Sequence, residues 1–269
     1  MPGLRHLFLG TALLLLVSPS RAAPDQATAS HTVWDQLLGR YVNEDHRVDY
    51  AGLKRDGLPE IDGYLTHLAA VDYPSLPAPQ YKAFLINAYN ALTVRWILNH
   101  YPVSSIWATP NPFKKARHTL GRRLISLDEI ESLLRQTGDP RIHAALVCAA
   151  RSCPPLRREA YTGARVDRQL EDNTRRWLAD PALNHFDANG RADVSPIFQW
   201  YRKDFEDHPG GLAGFLKKHA PVPAGGDIQN KDLKIHFNEY RWGLNDQSDL
   251  GEDYSNFNLV VDKIKSWFR

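Results

Sequence analysis

Apolar side chains recur at intervals of three and four positions along most of this chain, and polar side chains fill the positions between them. This spacing gathers the apolar residues on one face of a helix, which can then pack against a core. The pattern predicts helices at His31–Val42, Ile61–Leu68, Gln80–His100, Ser126–Leu134, Val166–Leu178, Ile197–Phe205 and Gly211–Lys218, with another at the carboxyl terminus.

The longest of these segments, Gln80–His100, is apolar around most of its circumference, and Pro102 ends it. A helix of this kind is buried, so we expect this segment to be the central helix. Asn87 and Asn90 lie within it, three residues apart and therefore on one face. Because an unpaired buried amide is costly, we expect both side chains to hydrogen-bond to neighbouring loops, or one of them to orient a substrate or a histidine.

The sequence contains fewer patterns typical of strands than of helices. The turn sequence Asn189-Gly190 predicts a hairpin, and the residues around Ile235 alternate as in a strand. The stretch Ile142–Val147 is small and apolar apart from His143, and it is typical of a short buried strand or a buried helix turn. These elements predict an α+β fold, a mostly helical single domain in which this stretch, the hairpin and the late strand form a small antiparallel sheet.

A rigid bend follows the stretch Ile142–Val147. Pro154 and Pro155 can continue neither a helix nor a central strand. Reactive side chains are often held in this way, at the end of a buried element. The bend contains both cysteines of the chain together with a hydroxyl group and a cation, which are Cys148, Cys153, Ser152 and Arg151.

The first residues have the pattern of a secretory signal peptide. A cation at Arg5 precedes an apolar run and a small-residue cleavage site, which predicts a signal peptide over residues 1–22 and a single domain over residues 23–269. We therefore expect an exported protein, periplasmic or secreted, although an uncleaved anchor is an alternative. The whole chain has 33 basic and 31 acidic residues, and removal of Arg5 and Arg21 leaves 31 of each. A neutral mature chain argues against nucleic acid as a partner, and no integral membrane segment is expected after cleavage.

Five motifs appear in a fixed order along the chain: AFLINAYNALTV, SLDEIE, DPRIHAALVCAARSCPPLRREAYTG, SPIFQWYRKDF and EYRWGLND. Together they resemble the domain of unknown function 547 family, which occurs in exported bacterial proteins and in plant proteins. The resemblance spans about residues 47–245 and brings no established activity. It implies that seven residues lie on family motif positions, namely Asn87, Asn90, His143, Cys148, Cys153, Pro154 and Trp242. The late motif departs from the usual pattern, because Arg241 stands where an aspartate normally precedes the tryptophan.

Cys148 is a candidate nucleophile. A cysteine nucleophile needs a lowered pKa or a nearby base, commonly a histidine that a third group orients. Asn87 or Asn90 would serve as that third group, as in Cys-His-Asn enzymes. The candidate bases are His143, His118 and His236. On a strand, His143 and Cys148 would point to opposite faces, which favours a histidine that is distant in sequence.

A disulfide between Cys148 and Cys153 is the main competing interpretation, since four intervening residues and a proline bend allow the required separation. A metal site is less favoured, because these cysteines and His143 lack the paired short spacings of zinc sites. No glycine-rich phosphate loop, serine elbow or His-Glu-x-x-His motif occurs, so we expect no cofactor.

Three classes of function remain open, in this order. The first is a cysteine-dependent hydrolase or acyltransferase on peptide or amide bonds, the second a non-catalytic envelope binding module, and the third a thiol–disulfide redox protein. The expected ligand is a small molecule or a peptide. Cys148, His143, Cys153, Asn87 and Asn90 are the catalytic candidates, and Arg151, Ser152 and Trp242 are the substrate-binding candidates.

Overall fold

The structure is a computed structural model that describes residues 30–115, 117–222 and 228–267. The predicted signal peptide, residues 1–22, lies outside the described residues. Within those ranges, none of the helices has the length and apolar character needed to cross a membrane.

The described part of the chain is mostly helical with two small sheets, which confirms the predicted α+β class. Most helices lie within a few residues of the predicted segments. Their bounds are α1 (Thr32–Tyr41), α2 (Tyr50–Asp56), α3 (Leu58–Ala70), α4 (Ala78–His100), α5 (Leu127–Arg135), α6 (Val166–Ala179), α7 (Ile197–Trp200), α8 (Arg202–Glu206), α9 (Gly211–His219) and α10 (Asn256–Trp267).

Helix α4 is the centre of the core, as its sequence predicts. Every residue from Ala83 to Val94 is buried, including both asparagines. The helix packs against α2, α3, α5 and α6. A helix covered by neighbours on all sides needs an apolar circumference rather than an apolar stripe, which is the pattern that this segment has.

The sheets differ from the prediction in two ways. Strands β1 (His118–Leu120) and β2 (Arg123–Ile125) form an unpredicted hairpin, whereas β3 (His185–Phe186), β4 (Arg191–Val194) and β5 (Lys234–Phe237) form the second sheet. Strand β4 pairs antiparallel with β3 across the predicted turn but parallel with β5, because helices α7 to α9 carry the chain back to the start of the sheet. The second sheet is therefore mixed, and the expectation of an antiparallel sheet throughout was wrong.

The cysteine-containing stretch does not belong to either sheet. Residues Pro140–Ala144 form a 3₁₀ helix, so the helical alternative is the correct one, and beyond it only Ala150 makes a bridge, to Leu244. The prediction that this stretch supplies a strand was wrong. Its short apolar run fits a buried turn as well as a buried strand, and its length cannot distinguish them.

The predicted helix Ile197–Phe205 is interrupted at Tyr201, which separates α7 from α8. The backbone leaves the helical region there (φ −110°, ψ 27°), and the Tyr201 ring stacks on His143 with ring centroids 4.2 Å apart. The break redirects α8, so that Phe205 enters the core while Asp204 reaches His143.

Helix α5 begins with a capping box, which the spacing of Ser126 and Glu129 in the sequence favours. The Ser126 hydroxyl accepts a hydrogen bond from the Glu129 amide (3.1 Å), and the Glu129 carboxylate accepts one from the Ser126 amide (2.7 Å). Two otherwise unpaired donors are thereby satisfied at the start of the helix.

Replacing the capping serine should destabilise the protein measurably. Ser126→Ala removes the acceptor for one backbone amide, and we expect the free energy of unfolding to fall by about 1 kcal/mol. Urea denaturation of the purified protein measures this change. Ser132→Ala, at an exposed position of the same helix, is the matched control and should leave the midpoint nearly unchanged. Equal effects of the two substitutions would contradict the assignment of the cap.

Candidate functional site

The two central asparagines hold the backbone around the cysteine-containing stretch. The Asn90 amide donates to the carbonyl of Ala145 (2.9 Å) and accepts from the amide of Val147 (2.9 Å). Asn87 makes the same pair of bonds with the backbone of Tyr161. Both side chains thus bind neighbouring backbone, the first of the two roles predicted for them, and neither contacts a sulfur.

A left-handed turn at Ala149 shapes the loop between the cysteines. Its φ of 62° is unusual for a residue with a Cβ, and it turns the amides on either side in one direction. The amides of Cys148 (3.2 Å) and Ala150 (3.3 Å) consequently both donate to the sulfur of Cys153. Converging amides of this kind form a small concavity that favours an anion.

The two sulfurs lie in direct contact. Their Sγ atoms are 3.0 Å apart as free thiols, and the hydroxyl of Tyr240 lies 3.3 Å from each of them. Cys153 is buried, whereas Cys148 is half-buried and lines a cavity. The predicted disulfide stays a prediction, since the sulfurs are adjacent but not bonded.

The surroundings of the two thiols shift their pKa values in opposite directions. Burial alone would raise the pKa of Cys153, but hydrogen bonds from Cys148, Tyr240 and the two amides offset burial and lower it. The hydrogen bond to Cys153 raises the pKa of Cys148, and burial adds to this effect. Of the two thiols, Cys153 therefore loses its proton more readily, and Cys148 is the thiol that keeps its proton.

Arg151 and Ser152 attach the loop to the late part of the chain. The amide of Arg151 donates to the carbonyl of Gly243 (2.8 Å), and Ser152 is hydrogen-bonded to both the amide and the carbonyl of Arg241. The Arg151 guanidinium pairs with Glu252. Two of the three predicted substrate-binding residues, Arg151 and Ser152, do not line the cavity that Cys148 faces. The third, Trp242, does.

The cavity has a volume of about 420 Å³. One part of its wall is aromatic and consists of Tyr89, Trp107, Phe113, Trp200, Tyr201, Tyr240 and Trp242. The polar groups on its wall are Asp128, Glu131, His143, Cys148 and Lys263. An apolar wall with a few convergent polar groups is typical of a small-molecule or peptide site.

His143 faces this cavity together with Cys148, because the stretch between them is not a strand. Its Nε2 donates to a carboxylate oxygen of Asp204 (2.8 Å), and the Arg135 guanidinium holds the same carboxylate with two bonds. Burial lowers the pKa of His143 in spite of this carboxylate, so the ring is neutral at pH 7. The bonds from His143 and Arg135 lower the pKa of Asp204 even though burial opposes them.

The other two candidate bases lie elsewhere. His118 is in β1 and His236 is at an exposed position of β5, and neither lines the cavity. Among the described residues, none of the hydrogen bonds to either sulfur comes from a histidine.

Three residues of the site escape sequence analysis. Asp204 lies in the SPIFQWYRKDF motif, but its contact with His143 depends on the break at Tyr201, which the sequence pattern does not predict. Tyr240 lies in the EYRWGLND motif, a signal that could have found it. Lys263 lies in a terminal amphipathic helix that carries no motif.

Comparison with known proteins identifies the family. Residues 74–178 match the family model described as "Protein of unknown function, DUF547", which supports the resemblance to the domain of unknown function 547 family. The matched segment includes α4, α5 and both cysteines but ends before Asp204 and Tyr240. Searches of curated proteins and of solved structures found no match.

Asn90 should be important for stability. Asn90→Ala leaves a buried carbonyl and a buried amide without partners, so we expect the free energy of unfolding to fall by about 3 kcal/mol. Urea denaturation measures the loss. Asn99→Ala, at an exposed position of the same helix, is the control and should change the free energy of unfolding by less than about 0.5 kcal/mol. An Asn90→Ala protein as stable as the native one would show that the loop does not depend on this side chain.

Stability should decrease in mild acid, partly because of His143. Below about pH 6.5 the unfolded chain protonates this histidine, whereas the folded protein, in which the His143 pKa is lowered, resists protonation. The free energy of unfolding therefore falls with pH from about 6.5 down to that lower pKa. Denaturation at several pH values should show a shallower decrease for His143→Gln and an unchanged one for His185→Gln, at an exposed position. Equal slopes in both variants would exclude this contribution.

Proposed function

We propose that this protein is a thiol–disulfide oxidoreductase in which Cys148 reacts with the substrate and Cys153 serves as the buried partner thiol. The observation that carries this proposal is the contact of the two sulfurs at 3.0 Å, with two amides and the Tyr240 hydroxyl donating to the buried one. The pattern of the first residues supports export, so we place this activity outside the cytoplasm, where disulfides form and persist.

The oxidised form of the pair would act as an electron acceptor. A substrate thiolate attacks the Cys148 sulfur, the bond between Cys148 and Cys153 breaks, and Cys153 leaves as a thiolate. A leaving thiol with a lower pKa departs faster, and the amides of Cys148 and Ala150 stabilise the charge on this one.

A second substrate thiolate then completes the exchange. It attacks the substrate sulfur of the mixed disulfide, and Cys148 is released and takes up a proton. Two substrate thiols become one disulfide, and the protein becomes a dithiol. A disulfide-bearing partner restores the oxidised pair by the reverse steps, in which the Cys153 thiolate resolves the mixed disulfide at Cys148.

The position of Cys148 supports this division of roles. Cys148 lines the cavity while Cys153 is absent from its wall, so a substrate in the cavity meets only one sulfur. The spacing of four residues between the cysteines is longer than the two-residue spacing of thioredoxin-type sites. The left-handed turn at Ala149 accompanies a loop that nevertheless places the two sulfurs 3.0 Å apart.

A second candidate function is acyl transfer or peptide hydrolysis by Cys148. It is favoured by His143, which lines the same cavity and is oriented by Asp204. In this mechanism His143 would take the thiol proton and Asp204 would replace the predicted asparagine as the orienting group. The hydrogen bond of Cys148 runs to Cys153 rather than to this histidine, so the redox function has the better geometric support.

Cysteine variants distinguish these functions. We expect the reduced native protein, mixed with a small peptide disulfide, to lose two hydrogens without retaining an adduct. Cys153→Ser should accumulate a mixed disulfide at Cys148, and Cys148→Ser should form none. Tyr240→Phe should slow the exchange about fivefold, the effect of one hydrogen bond of roughly 1 kcal/mol. Intact-mass spectrometry of timed samples measures all four reactions.

Tyr64→Phe is the control for Tyr240→Phe, because it removes a buried hydroxyl that does not line the cavity, and it should not slow the exchange. If Cys153→Ser forms no adduct but keeps full activity on peptide or thioester substrates, the redox proposal fails and the acyl-transfer function replaces it. If native protein neither exchanges disulfides nor turns over such substrates, a binding module remains.

A further inference from the structure

The aromatic wall of the cavity already contacts a cation, which comes from the chain itself. Helix α10 places the Lys263 ammonium 4.7 Å from the centre of the Trp107 ring and 5.5 Å from that of Trp242. The two indoles meet edge to face at 5.5 Å, and Trp200 stacks behind Trp242 at 5.7 Å. Ammonium groups bind to aromatic faces at such distances, most strongly to tryptophan.

Lys263 is held by these rings rather than by a carboxylate. Within the described ranges its ammonium makes no ion pair, although Asp128 and Glu131 line the same cavity. Burial lowers the pKa of Lys263, because the surrounding side chains cover part of its ammonium group. A ligand cation that contacts the Trp107 and Trp242 rings could therefore replace the Lys263 ammonium group there.

The remaining charges on the wall favour a cation. Without Lys263, the titratable groups that line the cavity are Asp128 and Glu131, the neutral His143, Cys148 and three tyrosines. Asp128 is at the exposed rim, and Glu131 is hydrogen-bonded to the Tyr201 hydroxyl. Two carboxyl groups and several aromatic rings are the kinds of group that favour a positively charged ligand.

We infer that the indoles of Trp107 and Trp242 form a binding site for an organic ammonium group of the substrate, and that Lys263 occupies this site when no substrate is bound. The inference extends the proposed function and rests on it for the identity of the substrate, which would be an aminothiol or a cysteine peptide with an adjacent amine. The site itself depends only on the rings and charges described above.

Displacement of Lys263 needs no movement of the fold. A lysine side chain has four rotatable carbon bonds and reaches bulk water readily when it lies near the surface. Lys263 is half-buried. Rotation of this side chain away from the rings would free the faces of the two indoles that its ammonium group contacts.

The test measures binding in the absence of sulfur chemistry. In the Cys148→Ser protein, isothermal titration calorimetry compares choline with 3,3-dimethylbutan-1-ol, its uncharged isostere. We expect choline to bind and the alcohol to bind at least about tenfold more weakly, the difference expected when a desolvated cation contacts aromatic rings. Adding Lys263→Met should tighten choline binding by about tenfold, because the internal competitor is gone.

Two further variants complete the design. Lys265→Met, an exposed lysine on the same helix, is the matched control and should leave choline binding unchanged. Asp128→Asn should weaken choline binding severalfold without affecting the alcohol. Equal binding of choline and the alcohol, or equal effects of Lys263→Met and Lys265→Met, would overturn the inference.

The result is separable from that of the proposed function. If choline binds as expected but the native protein exchanges no disulfides, the redox proposal fails and the ammonium site stands. If the exchange proceeds through Cys148 but choline does not bind selectively, the ammonium site fails alone.

Discussion

The convergence of backbone amides on the Cys153 sulfur is the constraint on which the site depends. The residue between the two amides, Ala149, takes a left-handed conformation although it has a Cβ, and both amides donate to the same sulfur. Such a conformation costs about 1–2 kcal/mol, so the rest of the structure must maintain it. The conformation creates a small region of positive potential inside an apolar core, and a thiolate fits that region better than a neutral thiol.

The contacts that maintain this turn come from two distant parts of the chain. On one side the buried amide of Asn90 fixes the backbone that enters the loop, and on the other side residues 241–244 pair with the backbone that leaves it. Neither contact touches a sulfur, yet both determine where the sulfurs lie. Polar groups buried in the central helix therefore act on the site through the main chain.

Sequence patterns predicted the helices well and the site only in part. The apolar circumference of α4, the capping box at Ser126 and the location of both cysteines in one bend are properties of local sequence. The contact between His143 and Asp204 depends instead on a helix break at Tyr201, the residue whose ring stacks on His143. Tyr240 and Lys263 reach the cavity from segments far along the chain, and periodicity within a segment carries no information about such distances.

The separation of these segments along the sequence has a consequence for synthesis. Tyr240 follows Cys153 by 87 residues, and the pairing of Ala150 with Leu244 spans a similar distance. Long-range contacts of this kind form late, after the loop between them has closed. Until residues 240–244 have emerged and docked, the two thiols lack the tyrosine that bridges them and the strand-like segment that covers their loop. A nascent chain therefore presents an unprotected pair of cysteines to its surroundings, and the chemistry of the finished site begins only when the carboxyl-terminal segment is in place.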